Sequence, residues 1–299
     1  MNTAAEHLFP QIAAMEAQSR GRVLVFAASK LEIDLLPPLY DALRAIGRCE
    51  RLHVVIQCRG GEVNAARRIA LLLHQSTDHL TFVVPHFCES AGTVMALAAR
   101  EIIAGPLAIF SPIDPHLSAD ASAENGGGAS PSALSAQDIR QFWRMSRDWF
   151  GLEESEAKAR ALPLLCDNIF PTTLTSFHRC ALELEQIGDE LLSLHMGDRP
   201  QAERARIVQS LLYGFHSHTY ALTGDELARL GLPIVRDPAL ELDAWALVRA
   251  LSRHVGPESR DSLEDPGHDA LIATRDGAIR RRRRPDAPTG VWEPVEALP

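Results

Sequence analysis

Lysine is almost missing from this chain of 299 residues: Lys30 and Lys158 are the only two, although Lys plus Arg totals 30. A mechanism built on a lysine base therefore has two places to find one. Aromatic residues are also scarce, at 10 Phe, 4 Trp and 3 Tyr, so the core must be made mostly of Leu, Ile, Val and Ala. There is no excess of positive charge. Asp plus Glu totals 39 and the net charge is −9, which argues against a general nucleic-acid binder. No apolar run approaches the roughly 18 residues that span a bilayer. The first ten residues lack the basic and apolar stretches of a secretory signal. The expectation is a cytoplasmic protein with no membrane contact. Cysteines 49, 58, 88, 166 and 180 are odd in number, widely spaced and without a CxxC pair. They read as reduced, mostly buried thiols rather than a disulfide framework, a zinc site or a thiol nucleophile.

What is present in the first hundred residues is an alternation of strand and helix patterns. Residues 23–27 (VLVFA), 52–57 and 80–84 read as buried strands. Residues 32–46 and 62–74 carry apolar positions at helical spacing, with Pro37 and Pro38 suited only to a first turn. Residues 90–100 are small and apolar, a helix fit to be buried on all sides. Residues 102–104 and 107–110 read as short strands. This order implies a parallel sheet with right-handed crossovers. Residues 118–137, with Gly126-Gly127-Gly128, read as a flexible loop. Helical patterns follow at 137–150, 173–196 and 201–213. Thr223-Gly224-Asp225-Glu226 is a capping-box pattern, followed by a strand at 232–235 and a helix at 240–253. The division expected is an N-terminal segment (1–21), one domain (22–255) that includes a helical arm (137–213), and a disordered tail (256–299). The tail holds the run Arg280 to Arg284, through which an acidic partner or nucleic acid is conceivable.

Two loops that follow strands and open helices could carry chemistry. In Cys58-Arg59-Gly60-Gly61 the glycines allow backbone N–H groups to face a ligand, although such a turn is more often only a turn. In His86-Phe87-Cys88-Glu89-Ser90-Ala91-Gly92-Thr93, Ser90 stands at a helix start. It is either an N-cap or a nucleophile served by backbone donors.

Together these loops resemble the serine dehydrogenase proteinase family, within the Clp-protease/crotonase fold. The Gly-Gly loop, Ser90-Ala91-Gly92-Thr93, Ser111-Pro112-Ile113-Asp114-Pro115-His116 and His218-Thr219-Tyr220-Ala221-Leu222 leading into Gly231-Leu232-Pro233-Ile234-Val235 occur in the family's order. The resemblance covers about residues 22–235. Arg59 replaces the family's usual proline, and His116 its usual glutamine. The resemblance implies an α/β fold with a Clp-protease/crotonase-like parallel sheet, crossover helices and a helical arm. It also implies cofactor-independent hydrolysis of a peptide or protein substrate by Ser90, and homo-oligomeric assembly. Carried over, the oxyanion donors are the N–H groups of Gly61 (or Gly60) and Ala91. His218 is the first candidate base, as general base or orienting partner. His116, with a Clp-like spacing from the serine, is the second, and Asp114 is the carboxylate that would orient the imidazole. His86 is separated from Ser90 by a turn, and His216 is two residues from His218. These histidines lack helical HxxxH spacing for a metal. Lysine bases occur in signal-peptide peptidases of this fold, but neither lysine here suits that role. The rivals are a non-catalytic scaffold that binds peptide or a partner, and an acyl-CoA enzyme with Glu89 as acid/base.

Overall fold

The apolar run VLVFA lies in strand β1 (Arg22–Ala28) and shows no polar alternation because both faces of the strand are buried. Leu24, Phe26 and Ala28 point into one core, and Val23, Val25 and Ala27 into a second core on the opposite face. The computed structural model describes residues 5–113, 115, 135–251, 267–282 and 290–295. Helix α1 (Ala5–Ser19) precedes β1. After β1 come a 3-10 turn (Ile33–Leu35), α2 (Leu36–Ile46), β2 (Cys49–Cys58), α3 (Val63–Gln75), β3 (Thr77–Val84), β4 (Phe87–Cys88), α4 (Ala91–Ala96), β5 (Glu101–Ala104) and β6 (Ile109–Phe110). The second half contains α5 (Ala136–Phe150), α6 (Glu154–Asn168), α7 (Pro171–Met196), α8 (Gln201–Tyr213), α9 (Gly224–Leu230), β7 (Ile234–Val235), α10 (Pro238–Leu251), β8 (His268–Thr274), β9 (Gly277–Arg282) and β10 (Val291–Pro294).

The sheet order is β10-β9-β8-β1-β2-β3-β5-β7, with β4 paired to β2 and β6. From β1 to β7 every pairing is parallel, as the strand–helix alternation requires. Residues from α2, α3, α4, α7 and α8 fill one core, and those of α1 and α10 fill the other. The capping box at Thr223 is formed: its side chain accepts from the N–H of Glu226, whose carboxylate accepts from the N–H of Thr223. Pro37 and Pro38 lie in the first turn of α2, where no intrahelical donor is lost.

Two parts differ from expectation. The N-terminal segment contains α1, whose Leu8, Ile12 and Met15 are fully buried under the sheet. The tail is not disordered at residues 267–282 and 290–295. Strand β8 pairs antiparallel with β1, and Ala270, Leu271, Ile272 and Ala273 are buried. The polar arginine run hid this. Arg281 is 1% exposed because Asp269 meets its guanidinium through two hydrogen bonds of 2.8 and 2.9 Å. Paired charges tolerate a core position that an isolated charge does not. No helix among the described residues is long and apolar enough to cross a membrane.

Candidate active site

Where β2 ends, Gly60 and Gly61 take φ values of +119° and +136°, a region that L side chains rarely enter. Their neighbour in space is Leu31. Its N–H donates to the Gly60 carbonyl at 2.7 Å, and its own carbonyl accepts from the Glu62 N–H at 2.8 Å. A Cβ on Gly61 would lie 2.4 Å from the Leu31 nitrogen and oxygen, so only glycine permits this approach. The N–H groups of Gly60 and Gly61 donate to no described residue.

Ser90 lies against this loop. A Cβ on Gly60 would stand 2.9 Å from the Ser90 Cβ and 3.4 Å from its Oγ. Ser90 has φ 52° and ψ −116°, and among the described residues only Arg20 shares a positive φ without being glycine. Such a backbone costs about 1–3 kcal/mol and persists only where its surroundings fix it. Those surroundings form a chain of buried polar contacts. The Ser90 N–H donates to Ser111 Oγ at 2.7 Å, the Ser111 N–H to Thr93 Oγ1 at 3.2 Å, and the Thr93 hydroxyl to the Cys88 carbonyl at 2.9 Å. The Ser90 hydroxyl makes no capping bond to α4, so the N-cap reading fails. With its own N–H committed to Ser111, the free donor beside Ser90 is the N–H of Ala91, which is bonded to no described residue.

The mouth of the site carries Arg59, Phe87 and Glu89. The Arg59 guanidinium lies 3.7 Å over the Phe87 ring and 3.8 Å from the Glu89 carboxylate. Burial raises the Glu89 carboxyl above its ordinary range, while Arg59 and His218 oppose the rise. His218 stands in the segment that follows α8. It is half-buried, in a turn closed by the Tyr220 N–H donating to the Ser217 carbonyl at 3.2 Å. Two bonds of 2.8 and 2.9 Å between Leu222 and Phe110 clamp that segment to the strand that leads into Ser111. One strand end thus anchors both the serine turn and the histidine turn.

The other candidates fall elsewhere. His216 is exposed and meets Gln141 at 3.2 Å. His86 stacks on Phe87 at 3.6 Å and faces Trp245 edge-on at 5.9 Å. Burial and then Arg59 push its pKa down. Lys30 is exposed, and Lys158 pairs with Glu154 on α6. Asp114 and His116 lie outside the described residues. All five cysteines are free. Cys88 hydrogen-bonds Cys58 and is fully buried, which pushes its thiol pKa up and makes it a poor nucleophile. Ser111 and Thr93 stand in the quoted motifs but carried no assigned role. The available signal was a hydroxyl residue at the end of a buried strand, which needs a partner.

Comparison with known proteins finds the following similarities. Residues 30–124 match the family of ClpP-like SDH-type serine proteinases, a stretch that includes the Gly-Gly loop and Ser90. Two uncharacterized proteins of Methanocaldococcus jannaschii are similar. One is 27% identical over 183 residues, covering 61% of this chain and 51% of the relative. The other is 26% identical over 193 residues, covering 64% and 56%. The chain thus spans about half the length of the curated relatives it matches. Among solved structures, a membrane-bound stomatin-specific protease aligns with TM-score 0.42 and 14% identity, over 72% of this chain and 79% of that one. A protein assigned as an enoyl-CoA hydratase from Streptomyces coelicolor aligns with TM-score 0.34 and 14% identity, over 77% and 68%.

Proposed function

We propose that this chain, matched over residues 30–124 by the ClpP-like SDH-type serine proteinases, is a serine peptidase with Ser90 as nucleophile. The observation that carries the reading is the Ser90 turn. The residue sits in a strained conformation, its hydroxyl is not spent on a helix cap, and it packs against the Gly-Gly loop. In this reading Ser90 Oγ attacks a peptide carbonyl and the developing oxyanion accepts from the N–H of Gly61 (or Gly60) and of Ala91. Each such preorganised donor contributes about 2.7–4 kcal/mol to lowering the barrier. His218 takes the hydroxyl proton and returns it to the leaving amine. Water then hydrolyses the acyl-enzyme by the same proton route. Asp114 orients the imidazole. His116, at a Clp-like spacing from Ser90 in the sequence, is the alternative base.

No cofactor is needed for these steps. The substrate class is a peptide or protein, and we propose a homo-oligomer in the cytoplasm. Ser90→Ala should abolish hydrolysis of peptides and of a small activated ester. Its melting temperature should stay close to wild type, because no side-chain bond of Ser90 is lost. Full activity in Ser90→Ala would remove the assignment. Between the two histidines, His218→Gln should slow acylation far more than His116→Gln, and the reverse result would exchange their roles. Peptide binding without turnover in the wild-type chain would instead favour a non-catalytic scaffold.

A further inference from the structure

Arg281 is the largest fully buried side chain among the described residues, and it belongs to no part of the site described above. Its Nε and Nη2 grip both oxygens of Asp269. Asp269 sits at an irregularity in the β8–β9 register, where an extra residue re-aims a side chain. The remaining nitrogen, Nη1, reaches out of this pair to Asp34 at 2.7 Å and Glu32 at 2.8 Å. These two acids lie one and three residues after Leu31, whose backbone holds Gly60 and Glu62. A continuous path of short polar contacts therefore runs from the C-terminal hairpin, through the turn at residues 31–34, to the Gly-Gly loop beside Ser90.

We propose that Arg281 is a positioning residue: by holding Glu32 and Asp34 it fixes Leu31, and through Leu31 the N–H groups of Gly60 and Gly61 at the angle an oxyanion requires. This rests on the serine-peptidase reading of that loop. The physical need is clear. The loop is irregular backbone with both glycines at positive φ, and glycine has the largest conformational freedom of any residue. Two backbone bonds to Leu31 fix the loop only as firmly as Leu31 itself is fixed. An arginine fork is the side chain suited to that task, since its planar donors satisfy several carboxylates at set angles.

Arg281→Met would leave Asp269 buried without its partner and risks unfolding the hairpin. The informative variant is Glu32→Ala with Asp34→Ala, which removes both acceptors of Arg281 Nη1 and spares the Arg281–Asp269 pair. With an activated ester, and rates normalised to titratable Ser90, kcat should fall about 10- to 100-fold with KM within about twofold. A purely structural role would lower the melting temperature and the titratable fraction but leave kcat per titrated site unchanged, and that result would overturn the proposal. Hydrogen exchange at the Leu31 and Glu62 amides gives a second readout that does not depend on catalysis. It should quicken at these two amides while β1 to β3 keep wild-type protection. Unchanged exchange there would also overturn the proposal. If the wild-type chain shows no reactive Ser90, the peptidase reading fails, and the exchange result alone decides whether Arg281 holds the loop.

Discussion

Replacing Ser111 by alanine tests what holds the nucleophile in place. Ser111 is 3% exposed and its Oγ accepts the Ser90 N–H at 2.7 Å. The alanine variant leaves that N–H without an acceptor in a buried setting, which costs about 1–3 kcal/mol. The Ser90 backbone itself stores about 1–3 kcal/mol of strain, so the lost bond is comparable with the strain it opposes. The turn should then relax toward an ordinary helix start. If that shift removes about 1.4–2.8 kcal/mol of transition-state stabilisation, acylation slows about 10- to 100-fold. The assay is the rate of Ser90 modification by a fluorophosphonate, read beside urea unfolding. A stability loss of about 1–3 kcal/mol with a wild-type modification rate would refute the reasoning, since the bond would then matter to the fold and not to the serine. Thr93→Val, one bond further away, should show a smaller effect in the same direction.

Removing residues 267–299 should lower the melting temperature sharply, because it leaves the β1 edge unpaired and removes the buried Ala270, Leu271, Ile272 and Ala273. An unchanged melting curve would mean that the hairpin contributes little. Asp269→Asn should destabilise by up to about 3–5 kcal/mol in denaturant titration, since the buried Arg281 loses the carboxylate on its Nε and Nη2 and keeps only Glu32 and Asp34 on its Nη1. Gly61→Ala should abolish Ser90 reactivity, because the Leu31 backbone lies where the new methyl must go. Stability should also fall with acid. His53 is buried with both ring nitrogens unpartnered, and burial, Arg51 and His79 lower its pKa from 6.5 against the opposing pull of Glu101 and Asp237. Burial also lowers His74 and His195. A depressed histidine contributes stability in full above 6.5, and this is lost as pH falls from there through the folded value. The melting temperature should therefore drop as pH falls below about 6.5, and His53→Gln should flatten part of that drop.

The parallel half of the fold was legible because its strands are buried on both faces and read as unbroken apolar runs, while α3 and α8 show regular spacing. Helix α9 was legible through one capping box. The antiparallel edge was not. Residues 280–284 read as five charges, and only the structure pairs Arg281 with Asp269. Helix α6 was legible only as part of the helical arm and without bounds of its own, because Pro163 lies inside it and its outward face carries Leu162 and Leu164. In the site, Gly60, Gly61 and Ser90 could be picked out because glycine pairs and a serine at a strand–helix junction are local signals. The roles of Leu31 and Ser111 were not legible. They act through backbone and hydroxyl contacts between segments distant in sequence, and no local pattern marks such a contact.

The central claim is that Ser90 is a nucleophile. The most direct test is to expose the wild-type chain and Ser90→Ala to a fluorophosphonate and to locate the adduct by peptide mass mapping. The account predicts one adduct, on Ser90, formed on the folded wild-type chain, not formed when the chain is denatured before the reagent is added, and absent from Ser90→Ala. A folded wild-type chain that takes up no reagent at Ser90, or an equal adduct on Ser90→Ala at another residue, would contradict it.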